Sequence, residues 1–381
     1  MKSDETVWTW GYNEYGQLGD ASNINKSTPV KNSGLSNITV AAGGSFHSIA
    51  LKSNGIVYVW GRNNWGQFGD GSNTDRNTPS QLSGLTDVIA VAAGYYDSMF
   101  LKSDGTVWTC GGNYRGQLGD GTTTDKYSLV QVSGLSNVTA IAAGRYHSMA
   151  LKSDGMVWTW GDNTFGQLGD GTTNMRTTPV QVNGLTDVIA IAVGEHYSMA
   201  LKSDGTVRTW GYNGDSQLGD GTNTNRSSPV QVNGLSGVTA IAAGEDHGTA
   251  LKSDGTVWVW GYNNYGQLGD GTFTNKSIPI QVRDLDSVTA ISCGYSHSIA
   301  MKSDGTVWAW GRNDSGQLGD GTTTNRTTPV QVVINLGQTT TSTPTPEATP
   351  TLGENEVKVP GTACPFFAGV EDASDSDDNY T

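Results

Sequence analysis

Ser153-Asp154-Gly155-Met156-Val157-Trp158-Thr159-Trp160-Gly161 is one of seven copies of a segment that recurs every 50 residues. The second aromatic position of this segment falls at Trp10, Trp60, Cys110, Trp160, Trp210, Trp260 and Trp310. A Gly-Gln-Leu-Gly-Asp unit or a close variant follows each copy, starting at Gly16, Gly66, Gly116, Gly166, Ser216, Gly266 and Gly316, with no insertion or deletion between copies. A fixed period of this length marks a solenoid or a propeller, in which each repeat is one supersecondary unit.

Reading outward from Trp158 gives four strands. Upstream, Val138-Thr139-Ala140-Ile141-Ala142-Ala143-Gly144 is short, apolar and ends in small residues, as suits a strand near a propeller axis where bulk cannot fit. The run from His147 to Lys152 reads as a second strand, and Asp154-Gly155 as a two-residue hairpin with positive φ at both positions. Val157–Trp160 is the third strand. After a long loop, Pro179-Val180-Gln181-Val182 is the fourth, and a Pro at its start is tolerable only on a sheet edge. Six of the seven copies carry that Pro, with Leu129 the exception. Four antiparallel strands repeated around an axis make a propeller blade.

Eleven of the twelve Trp residues occupy the two aromatic positions of the third strand, which share one face of the sheet and are expected to pack between blades. Trp65 alone lies outside the pattern. The units Ala-Ala-Gly-x-x-His-Ser-x-Ala-Leu, Asp-Gly-x-Val-Trp-x-Trp-Gly and Gly-Gln-Leu-Gly-Asp-Gly resemble the repeat of the regulator of chromosome condensation family, with the look of a bacterial member. The resemblance covers residues 1 to about 333 and implies an all-β fold, a seven-bladed β-propeller of four-stranded antiparallel blades. It implies no single activity, since that fold serves nucleotide exchange on a small GTPase, ubiquitin-ligase modules, plant light sensing and a secreted inhibitor of β-lactamases. The exchange factor uses an inserted wedge, for which the constant 50-residue spacing leaves no place.

The domains expected are a propeller over residues 1–336, a Thr/Pro-rich linker over 337–351 and an acidic, disordered tail over 352–381. First strands occur only six times against seven third and fourth strands, so the first blade is incomplete, and a start inside a repeat suggests a longer parent protein. The net charge is −14, half of it from Thr339 onward, where eight Asp or Glu face Lys358 alone. Such a chain repels phosphate backbones, which argues against nucleic acid as a partner. Cys110, Cys293 and Cys364 form no disulfide framework, and no apolar run approaches membrane-spanning length.

Chemistry is hard to place on so uniform a scaffold. His47, His147, His247 and His297 start second strands, with Asp97 and Tyr197 in the same position, and their expected role is structural hydrogen bonding rather than metal ligation. The Gly-Asp-Gly-Thr-Thr-Thr loops lack the acidic spacing of a calcium site and read as Asx-type turns. Ser and Asp recur in every repeat and His in most of them, whereas a nucleophile needs one special neighbourhood. No metal, cofactor or catalytic residue is assigned, and the chain is expected not to be an enzyme.

Nearly all the variation between copies falls in the loops after first and third strands, which share one face of the disc. These loops carry Tyr12, Tyr15, Phe46, Arg62, Trp65, Tyr95, Tyr96, Tyr114, Arg115, Arg145, Tyr146, Phe165, Tyr212, Tyr262, Tyr265, Tyr295 and Arg312. Tyr, Trp and Arg are enriched where proteins bind one another, so this face is the candidate for recognising a protein or glycan. A Thr-Pro spacer is common in exported bacterial proteins, which points to display outside the cell. The alternative is a cytoplasmic signalling scaffold or an exchange-factor-like regulator of a small GTPase.

Overall fold

A computed structural model describes residues 6–334, and the linker and tail readings at 337–351 and 352–381, with Cys364, lie outside the described residues. The described chain forms 26 strands in six four-stranded antiparallel sheets and one two-stranded sheet. Blade 1 is the two-stranded sheet, Trp8–Gly11 paired with Lys26–Lys31, and blades 2 to 7 begin at Ile38, Val88, Val138, Val188, Val238 and Val288. The incomplete first blade is therefore as the repeat count predicts.

Blade 4 shows how the local chemistry works. Its strands are Val138–Ala143, His147–Lys152, Val157–Gly161 and Arg176–Gln181, hydrogen-bonded in that order. First strands of blades 2 to 7 contact one another, so they lie innermost around the axis. Pro179 sits on the outermost strand, where the ladder jumps from Thr159↔Val180 to Gly161↔Arg176 and asks no N–H of the proline.

The Asp-Gly turn differs from the expectation. Of Asp154 and Gly155 only the glycine takes positive φ, at 76°. Gly155 N–H donates to Lys152 O at 2.9 Å and Lys152 N–H to Met156 O at 3.0 Å, which is a three-residue loop ending in a left-handed glycine. Asp154 escapes the steric cost of positive φ, and its Oδ1 accepts the Met156 N–H at 3.1 Å.

The core lies between blades. Met99, Leu101 and Val107 of blade 3 pack with Val138, Ala150 and Trp160 of blade 4, and the same arrangement recurs around the ring. Trp60, Trp160, Trp210, Trp260 and Trp310 are fully buried, and each indole donates to a main-chain oxygen of the preceding blade, as Trp160 Nε1 does to Gln117 O at 2.8 Å. Burying an indole this way keeps its N–H paired while removing a large apolar area from water. The inter-blade role expected of these tryptophans is what the structure shows for them.

Blade 3 breaks the pattern and is repacked around the break. Cys110 stands where the other copies have Trp, and Phe100, where Ala occurs in five other blades, lies two residues along the facing strand from Ser98, the direct partner of Cys110. Phe100, Cys110 and Phe68, which replaces a Leu, belong to one buried cluster, with Leu129 against it in place of the usual Pro. Three enlarged side chains thus fill the volume that one lost indole vacates.

The histidines join neighbouring blades. His47 Nε2 lies 2.9 Å from Ser98 Oγ, and His147 and His247 make the same contact to Ser198 and Ser298 at 3.0 Å. Each serine hydroxyl in turn donates to a glutamine main-chain oxygen, as Ser98 does to Gln67 O at 2.7 Å. Burial lowers the pKa of all three imidazoles to about 3, so they are neutral. The glycine that ends each first strand makes room for the ring: a Cβ on Gly44 would stand 2.7 Å from His47 Cε1. Asp97 is the odd member. Its carboxylate is buried, neither oxygen has a hydrogen-bond partner, and burial raises its pKa well above the usual carboxylate range.

Candidate functional site

The loops after first and third strands meet on one face, as the strand directions require. Arg62 N–H donates to Phe46 O, Asp162 N–H to Tyr146 O and Tyr262 N–H to Asp246 O, which ties the two variable loops of each blade together. Beneath them, a buried asparagine organises every third-strand loop. In blade 4, Asn163 Nδ2 donates to Asp170 Oδ1, Thr172 O and Asn174 O at 3.0–3.2 Å, and its Oδ1 accepts the Leu168 N–H at 3.0 Å. The aspartate of that loop accepts from the Thr172 hydroxyl at 2.7 Å and pairs with Arg176 at 2.7 Å. These are the Asx-type turns expected from the Gly-Asp-Gly-Thr sequence. Their carboxylates are engaged by protein donors.

On this foundation the aromatic side chains of blades 1 to 5 form one continuous layer. Tyr12, Tyr15, Phe46, Tyr95 and Tyr96 follow in edge-on contacts with ring centroids 4.4–6.3 Å apart. Trp65 lies 5.6 Å from Tyr96, and Tyr146 joins Tyr95 at 6.4 Å and Tyr114 at 5.2 Å. The layer continues through His196 and Phe165 to Tyr212, with centroids 4.9–6.0 Å apart. Such offset and edge-on pairs each add about 0.5–1.5 kcal/mol beyond the area they bury. Guanidinium groups lie over the rings: Arg62 over Tyr15 at 4.6 Å, Arg145 over Tyr95 at 4.6 Å and Tyr146 at 5.0 Å, Arg115 over Tyr114 at 5.8 Å.

The layer corrects part of the candidate set. Tyr12, Phe46 and Tyr95 are only 4–5% exposed, so they support the face from beneath rather than meet a partner. They pack into one buried cluster, with Tyr15, Tyr96 and Tyr295 against it. Tyr114 and Arg115 are exposed, and Tyr15, Arg62, Trp65, Tyr96, Arg145, Tyr146, Phe165, Tyr212, Tyr262, Tyr265, Tyr295 and Arg312 are partly exposed. Tyr262 and Tyr265 form a separate pair at 6.3 Å, and Arg312 lies over Tyr265 at 5.1 Å.

Close to the axis the face changes character. Glu195, Glu245 and Asp246, from the first-strand loops of blades 5 and 6, bring carboxylate oxygens within 4.8 Å of one another. Arg145 is ion-paired with Glu195, and His196 Nε2 stands 3.4 Å from the same carboxylate. Burial and then the charge of Glu245 raise the pKa of Asp246 to about 7, although Gln217 Nε2 donates to it at 2.6 Å. Burial lowers His196 to about 4. A criterion of aromatic and Arg side chains passes over these acidic residues. The signal is their place one or two residues after the glycine at the end of a first strand, Glu195 after Gly194 and Glu245-Asp246 after Gly244. Below them an axial cavity of about 170 Å³ opens, walled by the ends of the six first strands.

The model of the RCC1-like domain matches residues 1–249 and, in a second overlapping match, residues 86–357. The chain belongs to the RCC1-like domain family. Among solved structures it is similar to human WBSCR16, at 25% identity with a TM-score of 0.79, over 87% of this chain and 95% of that one. It is also similar in fold to yeast RCC1 (Prp20) in its crystal structure with Kap60, at 23% identity and a TM-score of 0.78, over 87% of this chain and 84% of the other. A second structure of Prp20p from Saccharomyces cerevisiae, described with its binding properties to Gsp1p and histones, matches at 23% identity and a TM-score of 0.78, covering 88% of each chain. No curated protein sequence matches this chain significantly. RCC1-like propellers bind proteins, and among the described residues no helix is long and apolar enough to cross a membrane.

Proposed function

We propose that this RCC1-like propeller is a non-enzymatic binding module that engages a protein partner through the aromatic face. The observation that carries the reading is the continuous ring layer from Tyr12 to Tyr212, topped by Tyr114 and Arg115. A rigid aromatic surface costs little conformational entropy to bind, and Tyr, Trp and Arg dominate measured hot spots. The opposite face, made of Ser-Asp-Gly turns, scarcely varies between blades. The Thr/Pro composition of 337–351 supports display outside the cell on a spacer. Labelling intact cells with a membrane-impermeant reagent checks that location.

The test is site-specific photo-crosslinking. A benzophenone amino acid at Tyr114 is expected to trap a discrete partner, whereas the same group at Asp154 traps none. Replacing Tyr114, Trp65 and Tyr265 together by Ala should then weaken that partner's binding by more than about 2 kcal/mol with the fold intact. Equal crosslinking from both faces, or binding indifferent to the triple substitution, defeats the proposal. A partner identified as an oligosaccharide moves the function to glycan recognition.

A further inference from the structure

The axial cavity is unusual in what its walls lack. Gly44, Gly94, Gly144, Gly194, Gly244 and Gly294 line it, so no side chain from these positions closes the opening. They are glycines for a reason internal to the wall: a Cβ on Gly144 would lie 2.7 Å from Gly194 O, and one on Gly94 would lie 2.8 Å from Gly144 O. A cavity of about 170 Å³ has room for several waters, or for the end of one long side chain.

The mouth of that cavity already holds a guanidinium supplied by the chain itself. Arg145 lies over the rings of Tyr95 and Tyr146 and is paired with Glu195. Aromatic faces with a carboxylate form the environment that replaces water around a planar cation. Three carboxylates converge there against this one guanidinium, and Asp215 adds a further negative charge that acts on Asp246. The charge balance at the mouth therefore favours a second cation.

We propose that the axial mouth receives a single basic side chain, Arg or Lys, presented by a protein partner, held between Glu245, Asp246 and the aromatic rim. Arg145 marks the chemistry and competes for the same walls. This deepens the protein-binding reading and rests on it. The partner's basic residue enters the cavity while its flanking surface covers the tyrosine layer.

Three peptides with Arg, Lys or citrulline between Gly-Ser and Ser-Gly, blocked at both ends, are titrated into the full chain by NMR or calorimetry. Citrulline keeps the shape of Arg and removes its charge. The Arg peptide is expected to bind saturably with a millimolar or better dissociation constant, and the citrulline peptide at least about 10-fold more weakly. Glu245→Gln with Asp246→Asn should lose about 10-fold for the Arg peptide while keeping the native melting temperature. Arg145→Ala should instead tighten it by about 3-fold or more, because the internal competitor is gone. No saturable binding below about 10 mM, equal binding of citrulline, or a folded double variant that binds like the parent overturns the inference. If Tyr114 crosslinks a protein whose affinity ignores Glu245→Gln and Asp246→Asn, the face binds but its mouth does not take a basic side chain.

Discussion

Trp10 Nε1 donates to the main-chain oxygen of Gln317 at 2.8 Å, although 307 residues of chain separate them. Trp60 to Gln17, Trp160 to Gln117, Trp210 to Gln167, Trp260 to Gln217 and Trp310 to Gln267 make the same bond within 2.8–2.9 Å, and Cys110 Sγ reaches Gln67 O at 3.3 Å. Seven equivalent contacts around the axis make a seven-membered ring, closed between blade 7 and the two strands of blade 1. Gly321 N–H to Ser27 O at 2.9 Å repeats on that junction the bond that Gly71 makes to Tyr127 O at 2.8 Å. The aromatic face stands on this circle of contacts.

Blade 4 lacks one bond that six other blades have. Asn63 N–H is accepted by Asp75 Oδ1 at 2.7 Å and Asn213 N–H by Asn225 Oδ1 at 2.8 Å, but Met175 occupies that position under Asn163 and is 43% exposed. Met175→Asn is expected to supply the missing acceptor and stabilise the protein by about 1 kcal/mol. Thermal unfolding should show a rise of roughly 2 °C for a domain of this size. An unchanged or lower midpoint would show that Asn163 is already satisfied.

The repacked interface around Cys110 predicts non-additivity. Cys110→Trp alone should destabilise by about 1–3 kcal/mol, because Phe68, Phe100 and Leu129 occupy the space an indole needs. Phe100→Ala alone leaves a cavity and should cost about 3–5 kcal/mol. Together they should cost clearly less than the sum, with a coupling of about 1–3 kcal/mol measured in a double-mutant cycle. Simple additivity would mean that the two side chains do not share one volume.

Asp97 gives a pH test with a definite sign. Its folded pKa is raised above the unfolded value, so the folded state holds a proton that the unfolded state releases. Stability from this group is full below about pH 4 and is lost as pH rises, by up to ~1.4 kcal/mol per unit while the folded carboxyl stays protonated. Asp97→Asn removes that slope. The variant should gain on the parent between pH 5 and 8 in denaturant titrations, and parallel curves would rule out a buried neutral carboxyl.

The imidazoles act in the opposite direction. His47, His147 and His247 have folded pKa values near 3, below the unfolded value of about 6.5, so acid protonates the unfolded chain first. Stability should fall as pH drops from about 6.5 toward 3. His147→Gln should reduce the steepness of that acid limb, and an unaltered limb would place the loss elsewhere.

Binding at the axial mouth should strengthen with pH around neutrality. Asp246, faced by Glu245, Asp215, His196 and Gln217, ionises near pH 7, whereas His196 stays neutral throughout this window. Affinity for the Arg peptide should rise several-fold from pH 6 to 8 as Asp246 gains its charge. The Asp246→Asn variant should show a flat profile, and an equally steep one would assign the titration to another group.

Much of this molecule was legible in one dimension. The 50-residue period, the strand order, the outer-edge proline and the missing inner strands of blade 1 follow from residue pattern alone, because a propeller's contacts are local and repeat with its sequence. Even the inter-blade role of Trp160 could be read from its position two residues after Trp158. What adjacent loops do to one another could not. That Tyr95 is buried while Tyr114 is exposed, that Phe100 compensates for Cys110, and that Glu195, Glu245 and Asp246 meet at the axis depend on side chains 10 to 100 residues apart in sequence. The ring brings them together in space, and burial there sets their exposure and charge. The repeat therefore determined the scaffold, and only the closed circle decided which of its variable residues form a surface.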